Sequence, residues 1–156
     1  MQVLVALWVG GILFFPVVAY IAFRSLRDTH TAGTIARQCL HTLHVEGLIA
    51  GLLLIPLLLI GGVAGAYGRR IIGPVTLTLV MLGLTAFSQY SIMPRMEQDR
   101  LRSGGRIDAT APNDASRLDF ERLHLASERV EAGVLVAGLL LILMLARAPL
   151  PPLRRG

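Results

Sequence analysis

The chain has 156 residues, of which 54% are hydrophobic and only 16% are charged, and its mean hydropathy is +0.64. This composition excludes an ordinary soluble domain, and the length favours a single domain. The net charge of +5 does not indicate nucleic acid, because the arginines flank apolar runs instead of covering one face of a soluble module. We therefore expect the lipid bilayer and its anionic headgroups to be the partners.

Four apolar runs predict four membrane-spanning helices. A hydrocarbon core of about 30 Å requires about 20 helical residues, and the runs at 3–23, 47–66 and 71–92 reach this length without a charge. The fourth run, 132–146, is too short. A complete span there places Glu128, Arg129 and Glu131 at or inside the membrane boundary, where a charged group needs a partner.

The first two helices carry proline and glycine within their apolar runs. The first helix is expected over residues 3–26 with a bend at Pro16, which lacks a backbone N–H. The second is expected to begin at Thr31, before the membrane, and to continue to residue 66. Its Gly47 and Gly51 form a GxxxG pair, which permits close helix approach. The short turn at 67–70 predicts that helices two and three are antiparallel neighbours.

The third helix is expected to begin near Pro74, to leave the membrane at residues 91–94 and to continue as a polar extension to Arg102. After a loop at 103–113, Asn113 or Asp114 can cap a last helix with polar first turns. The fold class is therefore all-α. We predict an integral membrane four-helix bundle with antiparallel up-down topology, in which helices two and four extend beyond the bilayer. Residues 1–147 form this domain, and 148–156 form a flexible tail rich in Pro and Arg.

The distribution of arginine predicts the orientation. Ten of the fifteen arginines lie on the side of the two long loops, and five lie on the side of the termini. Basic residues favour the cytoplasmic side, so we expect a multi-pass protein of the cell (inner) membrane with cytoplasmic long loops. The Arg69–Arg70 pair in a short loop argues for the opposite orientation. Trp8, Tyr20, Tyr67 and Tyr90 lie near the predicted span ends, where aromatic residues anchor proteins in lipid.

Polar residues near the membrane concentrate on the side of the long loops. Spacings of four and three residues place His124, Glu128 and Glu131 on one stripe of the last helix. His41 and His44 share a face of the second helix. The candidate ligands for a metal are His41, His44, His124, Glu128 and Glu131. The other members of the expected polar cluster are Arg24, Glu46, Gln89, Arg95 and Ser127.

Three interpretations of this cluster remain open. In the first, it is a network of ion pairs and hydrogen bonds that fixes helix packing. In the second, it is a site for a cation or small polar solute, with His124 and Glu128, four residues apart, as ligands. Alternatively, haem b lies between His44 and His124. No catalytic motif is present in the sequence, so we expect a non-enzymatic accessory or transport-related protein. The alternatives are a structural subunit of a larger membrane complex and a haem-binding membrane oxidoreductase. Besides lipid, the partners that we consider are further copies of this chain, in a homo-oligomer, and other subunits of a membrane complex.

Three short segments carry a family resemblance. LWVGGILFFPVV in the first helix, QYSIMPRM at the exit of the third and FERLHLAS in the last resemble the transmembrane protein 205-like family. The resemblance implies a four-helix membrane domain of largely unassigned biochemistry, linked in some eukaryotic members to metal-drug tolerance and vesicle traffic, and it does not imply an enzyme. Where the family pattern has an Asn, this chain has Glu131. The matching residues are Trp8, Gly10, Gly11, Pro16, Pro94, Arg95, Phe120, His124 and Ser127.

Overall fold

The structure, a computed structural model, describes residues 1–63 and 71–147, and the regular secondary structure in these ranges is entirely helical. Four helical stretches are long and apolar enough to cross a membrane, which confirms the predicted all-α four-helix membrane bundle. The predicted turn at 67–70, Tyr67 and the predicted tail at 148–156 lie outside the described residues. The elements are α1 (Gln2–Ser25), α2 (Thr29–Val63), α3 (Ile72–Phe87), a π-helix (Ser88–Ile92), α4 (Met93–Arg102), a 3₁₀ turn (Ile107–Ala109) and α5 (Ala115–Ala146).

The helices α2 and α5 are longer than a bilayer core is thick. They contain 35 and 32 residues, or about 50 Å each at about 1.5 Å per residue, against about 30 Å of hydrocarbon. Asp114 caps α5 by accepting hydrogen bonds from the backbone N–H groups of Ser116 and Arg117, as predicted. The prediction that Thr31 begins α2 was wrong, because the helix begins at Thr29 and Asp28 accepts the N–H bonds of its first turn.

The bundle is a ring of four helical columns. The helix α1 contacts α2 and α5, and α3 contacts the same two helices, so each column packs between two neighbours. The core lies between them on the side of the membrane that holds the N-terminus of α1 and the C-terminal half of α5. Its buried side chains are Val5, Trp8, Val9, Ala50, Leu54, Leu58, Met81, Val134, Ala137, Leu141 and Leu145.

Trp8 is part of the core rather than of an aromatic belt. Only 3% of its surface is exposed, and its ring lies against Gly47 and Gly51 of α2, which thereby make the close approach that their spacing predicts. The expectation that Trp8 anchors the protein in lipid was therefore wrong. Tyr20 and Tyr90 are exposed, as residues that contact lipid must be.

A short π-helix joins α3 to α4. Its distinguishing hydrogen bond runs from the backbone N–H of Met93 to the carbonyl oxygen of Ser88, five residues earlier. Pro94 follows directly and has no N–H to donate, so the α-helical hydrogen bond from this position to the carbonyl oxygen of Tyr90 is missing. The consecutive residues Ser88 and Gln89 of the π-helix are both buried.

Candidate functional site

A histidine at the centre of the bundle joins three elements through its side chain. His44 of α2 is only 2% exposed. Its Nδ1 lies 2.9 Å from Oε1 of Gln89 in the π-helix, and its Nε2 lies 2.7 Å from Oε1 of Glu131 in α5. A buried polar group without partners destabilises a fold, but both ring nitrogens of His44 are satisfied here. The contact therefore fixes α2, α5 and the π-helix at one level of the bundle.

The hydrogen bonds continue to the surface of α2. The side-chain amide nitrogen of Gln89 donates to Nδ1 of His41, whose side chain is exposed. We call the four hydrogen-bonded side chains His41, Gln89, His44 and Glu131 the buried chain, after its two buried central members, Gln89 and His44. Its two ends differ, because His41 lines a surface groove beside α4, whereas Glu131 lines a cavity beside α1.

The bonding pattern fixes where hydrogens lie on the central pair. The amide oxygen of Gln89 can only accept, so Nδ1 of His44 carries a hydrogen and donates it. The contact between Nε2 of His44 and Glu131 needs one further proton, which resides on either partner. The pair is therefore an imidazolium with a carboxylate, or an imidazole with a carboxylic acid. In both forms its net charge is zero.

A cavity of about 710 Å³ lies between α1 and α5 and extends over α2 and α4. Its polar wall comes mainly from α5, with His124, Ser127, Glu128 and Glu131, and from α2, with Arg37. Most of the remaining wall is apolar. These apolar residues are Ile12, Phe15, Pro16, Ala19, Phe23, Ala36, Leu40, Leu43, Met93, Met96, Phe120, Ala132 and Leu135.

His124 and Glu128 form a separate pair at the outer part of the cavity. Their closest atoms, Nε2 of His124 and Oε1 of Glu128, are 3.4 Å apart, and 61% of each side chain is exposed. The ring of Phe120 stacks on that of His124 with centroids 6.3 Å apart. An exposed pair of this kind contributes little to stability. Because both side chains are exposed, they are available to solvent and to ligands.

A second polar network ties α4 to the start of α2. Glu97 accepts two hydrogen bonds from Arg100, at 2.9 and 2.6 Å, and lies 3.2 Å from Arg37. Arg100 also donates to Nε2 of His30 at 2.7 Å. One carboxylate, that of Glu97, is therefore shared by Arg100 and by Arg37, and Arg37 also lines the cavity.

The structure brings together only part of the expected polar cluster. His41, His44, Gln89 and Glu131 form the buried chain, and Ser127 is buried at the cavity wall. The remaining candidates lie outside it. His124 and Glu128 pair with each other, Arg24 donates to the hydroxyl of Tyr20, and Glu46 and Arg95 are exposed.

The metal and haem hypotheses receive no support from this arrangement. Within residues 1–63 and 71–147, no group of three or more His, Cys, Asp or Glu side chains could hold a metal ion. A haem ligand needs a free ring nitrogen, and both nitrogens of His44 are hydrogen-bonded. His124, the other expected haem ligand, lies seven residues before Glu131 on α5, about 10 Å along the helix axis.

Sequence reasoning missed several polar residues of the site. Arg37, Glu97 and Arg100 belong to charged stretches that are ordinarily solvated, so no sequence signal separates them from other surface charges. Thr85 and Ser88 were missed because small hydroxyl residues are common in apolar helices. Their hydroxyl oxygens are buried and have no hydrogen-bond partner among the described residues, on the same face of the α3 and π-helix column as Gln89.

The fold and the buried chain define a small four-helix membrane protein with a polar cluster inside the bundle. The family model described as "Domain of unknown function (DUF4149)" matches residues 3–102, and the chain belongs to this family. The matched region contains His44 and Gln89 but not α5, which supplies Glu131. No curated protein and no solved structure matches the chain. The family match carries no function and does not name the transmembrane protein 205-like family, so that resemblance stays a prediction.

Proposed function

We propose that the protein is a non-enzymatic membrane protein that binds an amphiphilic monovalent cation, a molecule with one positive charge and an apolar body. The proposed site is the cavity between α1 and α5. A single observation carries the proposal: Glu131, a carboxylate of the buried chain, also lines a cavity whose other walls are largely apolar.

The size and the walls of the cavity suit an organic molecule. Small-molecule sites in proteins have volumes of about 300–1,000 Å³ and combine apolar walls with a few polar groups that fix orientation. The cavity here has about 710 Å³. The rings of Phe15 and Phe23 and the side chain of Leu40 offer a surface for an apolar body. The polar groups concentrate on α5, which gives the site one polar side.

The charges of the cavity favour a cation over an anion. Two carboxylates, Glu128 and Glu131, lie on its α5 wall. Arg37 also lines the cavity, but it pairs at 3.2 Å with Glu97 of α4, which it shares with Arg100, and not with the α5 carboxylates. Opposite charges attract more strongly in a partly buried apolar site than in water. An ammonium or phosphonium group near α5 is stabilised when Glu131 is ionised and no longer shares a proton with His44, whereas an anion there meets carboxylates.

A bare metal ion suits the site less well than an organic cation. Divalent metals require several oxygen or nitrogen ligands around one point. The carboxylates of Glu128 and Glu131 belong to different pairs, the first with His124 and the second with His44. A singly charged organic cation needs only one close carboxylate and gains the rest of its binding energy from apolar contact.

Binding of the tetraphenylphosphonium cation to the full chain tests this proposal. The protein is reconstituted in nanodiscs, and uptake is measured by equilibrium dialysis against protein-free nanodiscs. We expect saturable binding that Glu131→Gln weakens by about tenfold, equivalent to about 1.4 kcal/mol. Tetraphenylborate, an anion of the same shape, should not bind above the blank. Uptake equal to that of empty nanodiscs, or equal affinity of the two ions, would refute the proposal and favour a structural subunit.

Optical spectra separate the haem alternative. If the protein instead carries haem between His44 and His124, purified protein supplied with haem develops an absorption band that His44→Ala removes. We expect no such band, because that ligation breaks a hydrogen bond of His44 to Gln89 or Glu131.

We also propose that the long loops face the cytoplasm of the cell membrane, since ten arginines lie on that side and five on the other. Thr110→Cys in a Cys39→Ser background reports on the loop at 103–114. A membrane-impermeant maleimide should label it only after the cells are opened. Labelling of intact cells would reverse the orientation.

A further inference from the structure

We infer that the site exchanges one proton for one cation: binding of an amphiphilic monovalent cation releases the proton shared by His44 and Glu131. This coupling rests on the proposed function and adds the number of protons released for each cation bound. The geometry behind it is the pair itself, in which Nε2 of His44 and Oε1 of Glu131 are 2.7 Å apart while Glu131 also lines the cavity.

The starting state has no net charge to attract a cation. Nδ1 of His44 donates to the amide oxygen of Gln89, so the hydrogen on Nδ1 is held in place. One further proton lies between His44 and Glu131, which makes this pair neutral as a whole. A cation that entered beside the neutral pair would leave one uncompensated positive charge next to a side chain that is only 2% exposed. Such a charge is strongly disfavoured.

Loss of the shared proton resolves this conflict. The product is a neutral imidazole that keeps its Nδ1 hydrogen on Gln89, and a carboxylate of Glu131 that pairs with the entering cation. In the balanced step, the protonated pair and the free cation are the reactants. The products are the deprotonated pair with the cation bound and one proton, which passes to bulk water. No electron transfer and no other reactant is involved.

The proton must leave on the cavity side. At the other end of the buried chain, the side-chain amide nitrogen of Gln89 donates to Nδ1 of His41. An amide donates from nitrogen and accepts at oxygen, so Gln89 fixes the hydrogen-bond direction but does not pass a proton from His44 to His41. The proton and the cation therefore reach Glu131 through the same cavity and compete for the same carboxylate.

The other charged groups near the cavity do not supply the compensating charge. On α5, His124 and Glu128 pair with each other and are 61% exposed, so solvent screens them. On α2, Arg37 is itself positively charged and pairs with Glu97 of α4, so it cannot compensate a cation. His41 is separated from the His44–Glu131 pair by Gln89 and does not line this cavity. The α1 wall contributes only apolar side chains to the cavity.

Isothermal titration calorimetry with tetraphenylphosphonium counts the protons. This cation has no ionisable hydrogen, so every released proton comes from the protein. Titrations at one pH in two buffers with different ionisation enthalpies should give a release close to one proton per cation. Over the range in which the pair is protonated, the dissociation constant should fall about tenfold for each unit of pH rise, because binding and protonation are linked reciprocally.

Two variants locate the proton. Glu128→Gln, at the other cavity carboxylate, should keep a release close to one. His44→Gln retains a hydrogen-bonding side chain but has no ring to protonate, so it should bind with a release near zero and a flat pH dependence between about pH 5 and 8. Binding by the native protein with no proton release, or unchanged release from His44→Gln, overturns the coupling and leaves the proposed function intact. Absence of binding at every pH refutes the proposed function itself.

Discussion

The indole nitrogen of Trp8 lies in the space that a Cβ atom at Gly47 would occupy. The aromatic ring of Trp8 in α1 therefore packs directly against the backbone of α2 at Gly47. One turn further along α2, Gly51 faces the far edge of the same ring and Leu82 of α3. Glycine is required at these positions because a side chain would overlap its neighbours.

Replacing Gly47 by alanine should destabilise the bundle. The added methyl group meets the Trp8 ring, and overpacking of this kind costs about 1–3 kcal/mol. Thermal unfolding in detergent, followed by circular dichroism, measures the loss. Gly10→Ala is the matched control, because a Cβ atom at Gly10 has no neighbour within 4 Å. The control should unfold at the native temperature or above it.

A second background assigns the loss to the ring. In a Trp8→Ala protein, which is itself weakened by about 3–5 kcal/mol, Gly47→Ala should cost little more. An undiminished penalty in that background would mean that the contact with Trp8 is not its origin.

The fluorescence of Trp8 should report a dry protein interior. Trp8 is the only tryptophan in the chain and is 3% exposed, so its emission should lie at short wavelength and resist both acrylamide and brominated lipids. The matched control carries Tyr20→Trp in a Trp8→Phe background, because Tyr20 is 60% exposed. Brominated lipid should quench the control strongly. Equal quenching of the two proteins would mean that Trp8 lies at the lipid surface.

The helices could be predicted because the bilayer itself sets their length. A span must satisfy its backbone hydrogen bonds internally over about 30 Å, so an apolar run of about 20 residues leaves few alternatives to a helix. The exact start of α2 does not follow from the length of the apolar run. Asp28 and Thr31 are both good capping residues, and in the structure they act together, with Asp28 accepting from Thr31.

The position of Trp8 could not be predicted in the same way. An aromatic residue near the end of an apolar run suits a lipid anchor and a core residue equally. The choice depends on Gly47, which lies in another helix. Likewise, Pro94 predicts an interruption of the helical hydrogen bonds, but a bend and a π-helix both accommodate it.

The site was predicted in its residue types but not in its pairing. His124, Glu128 and Glu131 share a stripe of α5, as their spacing indicates. Of these three residues, only Glu131 lies at the level of the bundle where α2 and the π-helix pack together, and there it contacts His44. His124 lies about 10 Å further out along the helix axis, where the wall of the open cavity replaces the packed core. Spacing within one helix cannot give that level, because it depends on the neighbouring helices.

Replacing Gln89 by leucine should weaken the fold by about 1–2 kcal/mol. The change removes the acceptor of His44 Nδ1–H and leaves that donor buried without a partner. Gln98→Leu is the matched control, since Gln98 of α4 is exposed and its replacement should change stability by less than about 0.5 kcal/mol. Unfolding in a mixed detergent titration measures both variants. If the two variants lose equal stability, the buried chain does not contribute to holding the bundle.

The carboxyl group of Asp28 should titrate below its ordinary range. The hydroxyl of Thr31 donates to Asp28 at 2.6 Å, and the backbone N–H groups of Thr31 and His30 donate at 3.1 and 3.3 Å. The side-chain bond from Thr31 is the largest cause that lowers the pKa of Asp28, followed by the backbone bonds, with Arg106 as a smaller electrostatic contribution. Carbon-13 NMR of labelled aspartate measures this pKa directly.

The variant Thr31→Val removes the hydroxyl donor and should raise the pKa of Asp28 toward its ordinary value. A carboxyl with a lowered pKa stabilises the folded state at pH values above the pKa of the unfolded chain, about 3.9, and this contribution is lost as the pH falls through the folded value. The acid-induced loss of the α2 cap should therefore become smaller in Thr31→Val. Thr42→Val is the matched control, because the Thr42 hydroxyl bonds to the carbonyl oxygen of Gln38. A pKa of Asp28 that responds equally to both variants would contradict the role of Thr31.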